Sequence, residues 1–218
     1  MAAGAGAKSA RTRQRILDAA AHVLSRKGYA GTRLADVASQ AKVAAPAIYY
    51  YFASRDELVE EVMWSGLAHL REHVTRVLAT LPPGAGPLDR IDAAVEAHLR
   101  YSLEVSDHAT ASIRNAGQVP ESIAIGPTAE ASRYGDMWRA LLRDADRAGL
   151  LRPDLDPVAA RMMVLGALNW AAEWRDPRRD SVDGIVVTAQ SLVRHGLSAH
   201  RESRARGTRK ARTAAGGR

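Results

Sequence analysis

Three consecutive tyrosines, Tyr49, Tyr50 and Tyr51, follow the small residues Ala45, Pro46 and Ala47. This is the most chemically suggestive stretch of the chain. Residues without bulk let a backbone approach a flat partner closely, and the apolar surfaces of Ala45, Pro46 and Ala47 suit contact with thymine methyl groups. Phenolic hydroxyls reach phosphate oxygens, which fixes register on a duplex without reading its sequence. Thr32, Arg33 and Arg55 bracket the stretch, and the two arginines add cations for the same backbone. No other pattern of reactive residues competes. There is no cysteine, and the seven histidines are scattered, with no pair at metal-ligand spacing among acids. A nucleophile with its base and orienter is not visible, so no catalytic residue, metal site or cofactor is expected.

The elements that position these residues are short and helical. Leu34, Val37, Ala38 and Ala41 recur at helical spacing. Lys42 and Val43 make a turn, and a second helix starts near Ala45 with Pro46 in its first turn, where a missing N–H costs nothing. Ile48 and Phe52 face inward from it, which leaves the tyrosines on the exposed side. Two such helices form a helix-turn-helix, here expected over about 33–52, whose second helix enters the major groove of DNA. An ordinary helical hairpin is the competing reading, but three tyrosines around one short helix cannot all point into one core. A first helix is expected over about 12–27, with Ile16, Ala20, Val23 and Leu24 inward and Gly28 ending it. Arg11, Arg13 and Arg15 on it are within reach of phosphates. Ser54 is placed to cap a long helix that opens with Asp56 and Glu57 and runs to Pro82.

Arg13, Ile16, Leu17, Ala19, Ala20, Leu24, Gly28, Tyr29, Thr32, Asp36, Val37, Ala38, Val43, Ile48, Tyr49, Tyr51, Phe52, Ser54 and Leu58 follow, without a gap, a known pattern. Over about residues 10–70 the chain resembles the N-terminal domain of the TetR family of transcriptional repressors. The resemblance implies an all-α homodimer, with an N-terminal three-helix helix-turn-helix DNA-binding domain and a C-terminal helical domain for ligand binding and dimerisation. The departures are informative. Arg33 and Ala44 stand where the family usually places Ser or Thr caps, Ala35 where many members have arginine, and Ala47 where Gly or Thr is common. Tyr51 replaces a frequent His. Lys42 stands at the usual turn glycine, in a backbone region that costs other residues about 1 kcal/mol. These changes leave the fold intact and put the operator sequence out of reach.

Charge supports the same reading independently. Residues 1–55 hold nine Lys/Arg against Asp18 and Asp36, and residues 201–218 hold seven against Glu202. The intervening 145 residues hold fifteen against twenty-one acids, so positive charge is concentrated where DNA is expected. A histone-like or nucleoid-type DNA coater would explain the total of +7 but not the acidic middle. No apolar run approaches the length of a membrane span and the start lacks an apolar secretory stretch, so a cytoplasmic protein with no membrane partner is expected.

The chain divides, on this reading, into a disordered N-terminus over 1–9, the DNA-binding domain over 10–70, a second domain over 71–200 and a disordered basic tail over 201–218. In the second domain, helices are expected over about 88–104, with His98 inward, and about 128–148. Between Asp107 and Thr128 the glycines and prolines break the pattern into short pieces, where Arg114, Asn115 and Gln118 suit a pocket mouth. Two more helices follow, over about 158–175 and 181–199. Val182, Ile185, Val186, Ala189, Leu192 and Val193 make a stripe on the last helix that needs a partner surface. By resemblance the last two helices are half of a four-helix dimer interface. The segment LGALNWAAEW, Leu165 to Trp174, after the RPDLDP turn, resembles a TetR branch answering to acyl-coenzyme A thioesters. That resemblance implies Trp138, Asn169, Trp170 and Trp174 along an acyl tunnel, with Arg114 or Arg133 at the cofactor's phosphates. The alternative is that these aromatics are core and dimer packing. The implied partners are therefore double-stranded operator DNA, a second copy of the chain, and a small apolar or acyl-coenzyme A effector.

Overall fold

The computed structural model describes residues 2–199, and among them helices account for all regular structure apart from one β-bridge between Leu151 and Ser198. The basic tail over 201–218 lies outside the described residues. The chain runs α1 (Ala2–Gly31), α2 (Leu34–Ala41), α3 (Ala45–Ile48), α4 (Arg55–Ala79), α5 (Pro87–Arg100), α6 (Asp107–Asn115), α7 (Glu121–Arg147), α8 (Pro157–Trp174) and α9 (Val182–Leu197). A five-residue π-turn, Tyr101–Val105, extends α5.

Several sequence signals act as expected. Gly28 adopts φ 68° and breaks α1, and Gly149 does the same after α7. Ser54 Oγ accepts from Glu57 N at 3.0 Å, while Pro87 and Pro157 sit in the first turns of α5 and α8. Three expectations need correction. The first helix begins at Ala2 and not near Thr12, because Ala2, Ala3, Ala5 and Ala7 are the strongest helix formers and outweigh the intervening glycines. α3 is one turn long; Tyr49 to Tyr51 continue it only as a tighter turn, with Tyr51 N donating to Ile48 O at 2.9 Å. Finally, α7 runs unbroken through Gly126 and Pro127. Pro127 lies in its second turn and is buried, so packing outweighs the lost backbone hydrogen bond.

Two apolar clusters form the core. One joins Ile16, Leu24, Val37, Ile48, Phe52, Leu58 and Val62, and it extends to Ala111 of α6 and Ile123 of α7. The other joins Leu70, Val74, Ile91, Leu99, Trp138, Leu142 and Leu168. α4 serves both, its first half in one cluster and its second half in the other. Between the halves lies Gly66. A Cβ there would stand 2.2 Å from His108 O and 2.2 Å from Ser112 Oγ. α4 and α6 therefore touch backbone to backbone, and polar bonds hold them there: Ser112 Oγ donates to Met63 O at 2.7 Å, and Ser65 Oγ lies 3.1 Å from His108 Nδ1.

A Gly66→Ala substitution overpacks this contact and is expected to cost about 3 kcal/mol, at the upper end for added core methyls, because backbone cannot rotate away. Urea unfolding of the two proteins measures it. A loss under about 0.5 kcal/mol would show that the helices separate freely.

Candidate nucleic-acid interface and ligand cleft

The α2–α3 turn is set by Lys42, a positive-φ residue at φ 54°, ψ 49°, with Val43 N donating to Ala38 O at 3.0 Å. Neither Arg33 before α2 nor Ala44 before α3 supplies a side-chain cap. α3 is held from beneath. Ile48 and Phe52 are buried, and Arg13 lies 4.7 Å over the Phe52 ring while gripping Glu61 with both terminal nitrogens. Its outer face is open. Ala45 and Pro46 are exposed, Ala47 is half-buried, and Tyr49 and Tyr50 are 60% and 81% exposed. Tyr51 is half-buried and meets Tyr50 edge-on, with centroids 5.1 Å apart. Arg33 is exposed and pairs with no carboxylate among the described residues.

Two residues expected at the DNA do other work. Thr32 is buried, its hydroxyl donating to Gly28 O at 2.7 Å. Arg55 closes the carbonyl end of α1: it donates to Thr32 O at 2.8 Å and to Tyr29 O, and stacks 4.2 Å over the Tyr29 ring. The Arg55 cap is invisible in sequence because its partners lie 23 and 26 positions back, whereas Thr32 bonds only four residues back, at the Gly28 bend.

Behind this face, α1 is tied to α6. Asn115 is fully buried and accepts from Tyr29 N at 2.7 Å, while its amide donates to Ala111 O at 2.8 Å. Asp107 takes His22 Nδ1 at 2.9 Å and Arg26 at 3.1 Å. Burial pushes the Asp107 carboxyl up, but hydrogen bonds from His22 and Arg26 outweigh it and hold the group below its usual range. Arg114 of α6 donates to Ser25 O at 2.8 Å and grips Glu173 of α8 at 3.0 and 3.1 Å. The sequence marked Arg114, Asn115 and Gln118 as a pocket mouth; Arg114 and Asn115 form a junction of three helices, and Arg114 also lines a cleft there.

The residues expected to line one ligand tunnel are not brought together. Trp138 is fully buried between α5 and α7, edge-on to Tyr134. Tyr134 OH lies 2.8 Å from His98 Nδ1, and burial lowers the His98 pKa to about 4 while raising that of Tyr134, so the phenol donates to a neutral imidazole at neutral pH. Arg133 is exposed and bonds Glu130 at 2.7 Å. Asn169 is half-buried on α8. Trp170 and Trp174 do meet: with Leu99, Leu168, Ile185 and Leu192 they line a mainly apolar cleft of about 620 Å³ between α8 and α9.

The expected dimer stripe divides between the chain's own core and its surface. Val182, Val186 and Val193 are buried in the subunit's own core, and Ile185 and Ala189 pack partly against it. α9 is turned that way because Arg194 bonds Asp89 and Asp92 of α5, each at 2.5 Å. Leu192 and Val187 remain exposed, at 70% and 65%. The larger open apolar surface is on α8, where Met162, Met163, Trp170 and Trp174 are 58%, 76%, 64% and 51% exposed.

A helix-turn-helix head, locked through a buried junction to a helical body with an apolar cleft, defines the class: a DNA-binding regulator with a ligand-binding domain. The profile described as bacterial regulatory proteins, tetR family, matches residues 16–62, and that described as tetracyclin repressor-like, C-terminal domain, matches residues 84–197. The chain belongs to the TetR family. It is 29% identical over 190 residues to the HTH-type transcriptional repressor KstR2 of Mycobacterium tuberculosis, covering 85% of this chain and 89% of that one. Among solved structures, the TetR family regulator PfmR from Thermus thermophilus superposes with a TM-score of 0.71 at 25% identity, over 85% of this chain and 100% of that one. AibR, solved with isovaleryl coenzyme A and operator DNA, gives 0.73 at 20% identity over 84% and 96%.

The caps and the outer face predict unequal stability effects. Arg55→Ala leaves the Tyr29 and Thr32 carbonyls without their donor and is expected to cost about 2 kcal/mol, whereas Tyr50→Ala on an open surface stays within about 0.5 kcal/mol. Thermal unfolding of both variants checks this; equal losses would remove the capping role of Arg55.

Proposed function

We propose that the chain is a repressor that binds a palindromic operator as a homodimer and is released by a small apolar or acyl-coenzyme A-type effector. The observation that carries the reading is the outer face of α3 and its turn, where Ala45 and Pro46 lie open beside two exposed tyrosines over an anchored base. Tyr49, Tyr50, Tyr51 and Arg33 hold phosphates, and Ala45 to Ala47 meet base edges. KstR2 is named as a repressor, which supports the sign of regulation. AibR is a structural neighbour whose complex holds both an acyl thioester and operator DNA, which supports the effector class.

Dimerisation follows from α8 and α9. Met162, Met163 and Trp170 make an apolar surface that a second copy can bury, with Leu192 at its edge. The cleft lined by Trp170 and Trp174 opens on that same face, so a partner would close it over an acyl chain. Trp138 and Arg133 leave the effector site on this account; Asn169 stays beside it on α8. A nucleoid-type coating protein is disfavoured by the acidic middle of the chain and by this apolar face.

Fluorescence anisotropy on DNA from upstream of the chain's own coding region, with and without a panel of acyl-coenzyme A thioesters at fixed salt, tests the whole reading. Saturable binding to one site that a thioester reverses is expected; binding of equal strength to every duplex would return the coating protein. On that operator, Tyr50→Ala is expected to weaken all sequences alike by about tenfold, the loss of one charge-assisted hydrogen bond. Pro46→Ser should instead change sequence preference, and an unaltered preference would sink the base-contact assignment. Met163→Glu places a charge in the α8 face and should convert the dimer to monomer in sedimentation equilibrium. A variant that stays dimeric would move the interface elsewhere.

A further inference from the structure

Three guanidinium groups converge where α1, α6 and the end of α8 meet. Arg26 of α1, Arg114 of α6 and Arg175, the residue after α8, line one cleft of about 260 Å³, with Ser102 and Thr110 on its wall. Asp107 is the only carboxylate among the lining residues, and it is already engaged by His22 as well as Arg26. Arg175 donates one N–H to Leu103 O at 2.8 Å, but its Nε is buried and has no partner among the described residues. A buried, charged donor left unpaired is costly.

We propose that this junction cleft is a binding site for a phosphate group. Arginine forks match phosphate oxygens better than lysine or histidine would, and a phosphate supplies both the negative charge and the acceptor that Arg175 lacks. The cleft has room for the phosphate and part of a molecule bearing it. It is separate from the apolar α8–α9 cleft and shares no lining residue with it.

Occupancy has a mechanical consequence. In this structure Arg26 bonds Asp107 and Arg114 bonds Glu173, so two of the three arginines tie α1, α6 and α8 together. A phosphate competes with both carboxylates for the same forks. Binding therefore re-routes the contacts that set α1, and with it the DNA-binding head, against the body. This consequence rests on the regulator reading given above; the binding itself does not.

Isothermal titration of the full chain at low ionic strength, without DNA, tests the site. The probes are inorganic phosphate, adenosine 3′,5′-bisphosphate and adenosine. One phosphate-bearing probe is expected to bind at one site per chain, with Arg175→Gln and Arg114→Gln each weakening it at least tenfold. Arg139→Gln, at an exposed pair on α7, should leave it unchanged. Binding of inorganic phosphate identifies a free-anion site; binding of the bisphosphate alone identifies a phosphate carried by a nucleotide. No binding by either, or equal affinities in the wild type and the cleft variants, overturns the proposal. Should circular dichroism show Arg175→Gln unfolded, Arg26→Gln, on a side chain more than half exposed, decides the same question. Operator anisotropy with and without the bound probe then reads the coupling. An unchanged operator affinity overturns the mechanical consequence and leaves the site, while a chain that binds phosphate but no operator refutes the regulator reading alone.

Discussion

The contact at Gly66 constrains the rest of the molecule. α4 contributes to both cores, and at its middle it meets α6 so closely that no side chain fits between them. α6 in turn holds α1 through Asp107 and Asn115 and reaches α8 through Arg114. A displacement of α6 cannot be absorbed at a loose joint, because packed helices have few alternative arrangements. The two domains are thus separate in sequence and continuous in packing, and Ala111 and Ile123 belong to the head's core although they lie far outside its sequence limits.

This arrangement explains how a ligand-binding body can act on a DNA-binding head. The head contributes an exposed face and almost no freedom of its own: Arg13 and Glu61 fix α3 to α1 and α4, and Arg55 seals the end of α1. Any change in that face must come from where α1 and α4 sit. Both pack against α6, which lines none of the apolar cleft and is the natural relay between body and head.

Much of this was legible in the sequence, for physical reasons that differ by element. The amphipathic spacing of α1, α2, α4 and α9, the Ser54 cap and the glycine stops are local signals, and they placed the helices well. α7 was misread because Gly126 and Pro127 are local breakers that burial overrules. The exposed face of α3 was legible because Ile48 and Phe52 fix which side is inside. The cap made by Arg55 was not, since its partners lie more than 20 positions back, and the inward turn of Thr32 depends on the backbone bend at Gly28. The α9 stripe showed that an apolar surface must be covered but not by what, and α5 of the same subunit covers most of it. The aromatic residues divide for a related reason: those on α7 and α8 look alike in sequence, yet Trp138 faces inward and Trp170 outward.

The commitments of the basic residues bear on the ionic atmosphere of the DNA. Of the nine cations in the first 55 residues, Arg13, Arg26, Lys27 and Arg55 are each bonded to a carboxylate. Lys8, Arg11, Arg15, Arg33 and Lys42 are not, among the described residues. Counterions leave a duplex only as phosphates are neutralised by charge that is free to do so. The head therefore displaces ions as a carrier of about five charges, and the four others are spent on the chain's own carboxylates, holding the shape that presents the five.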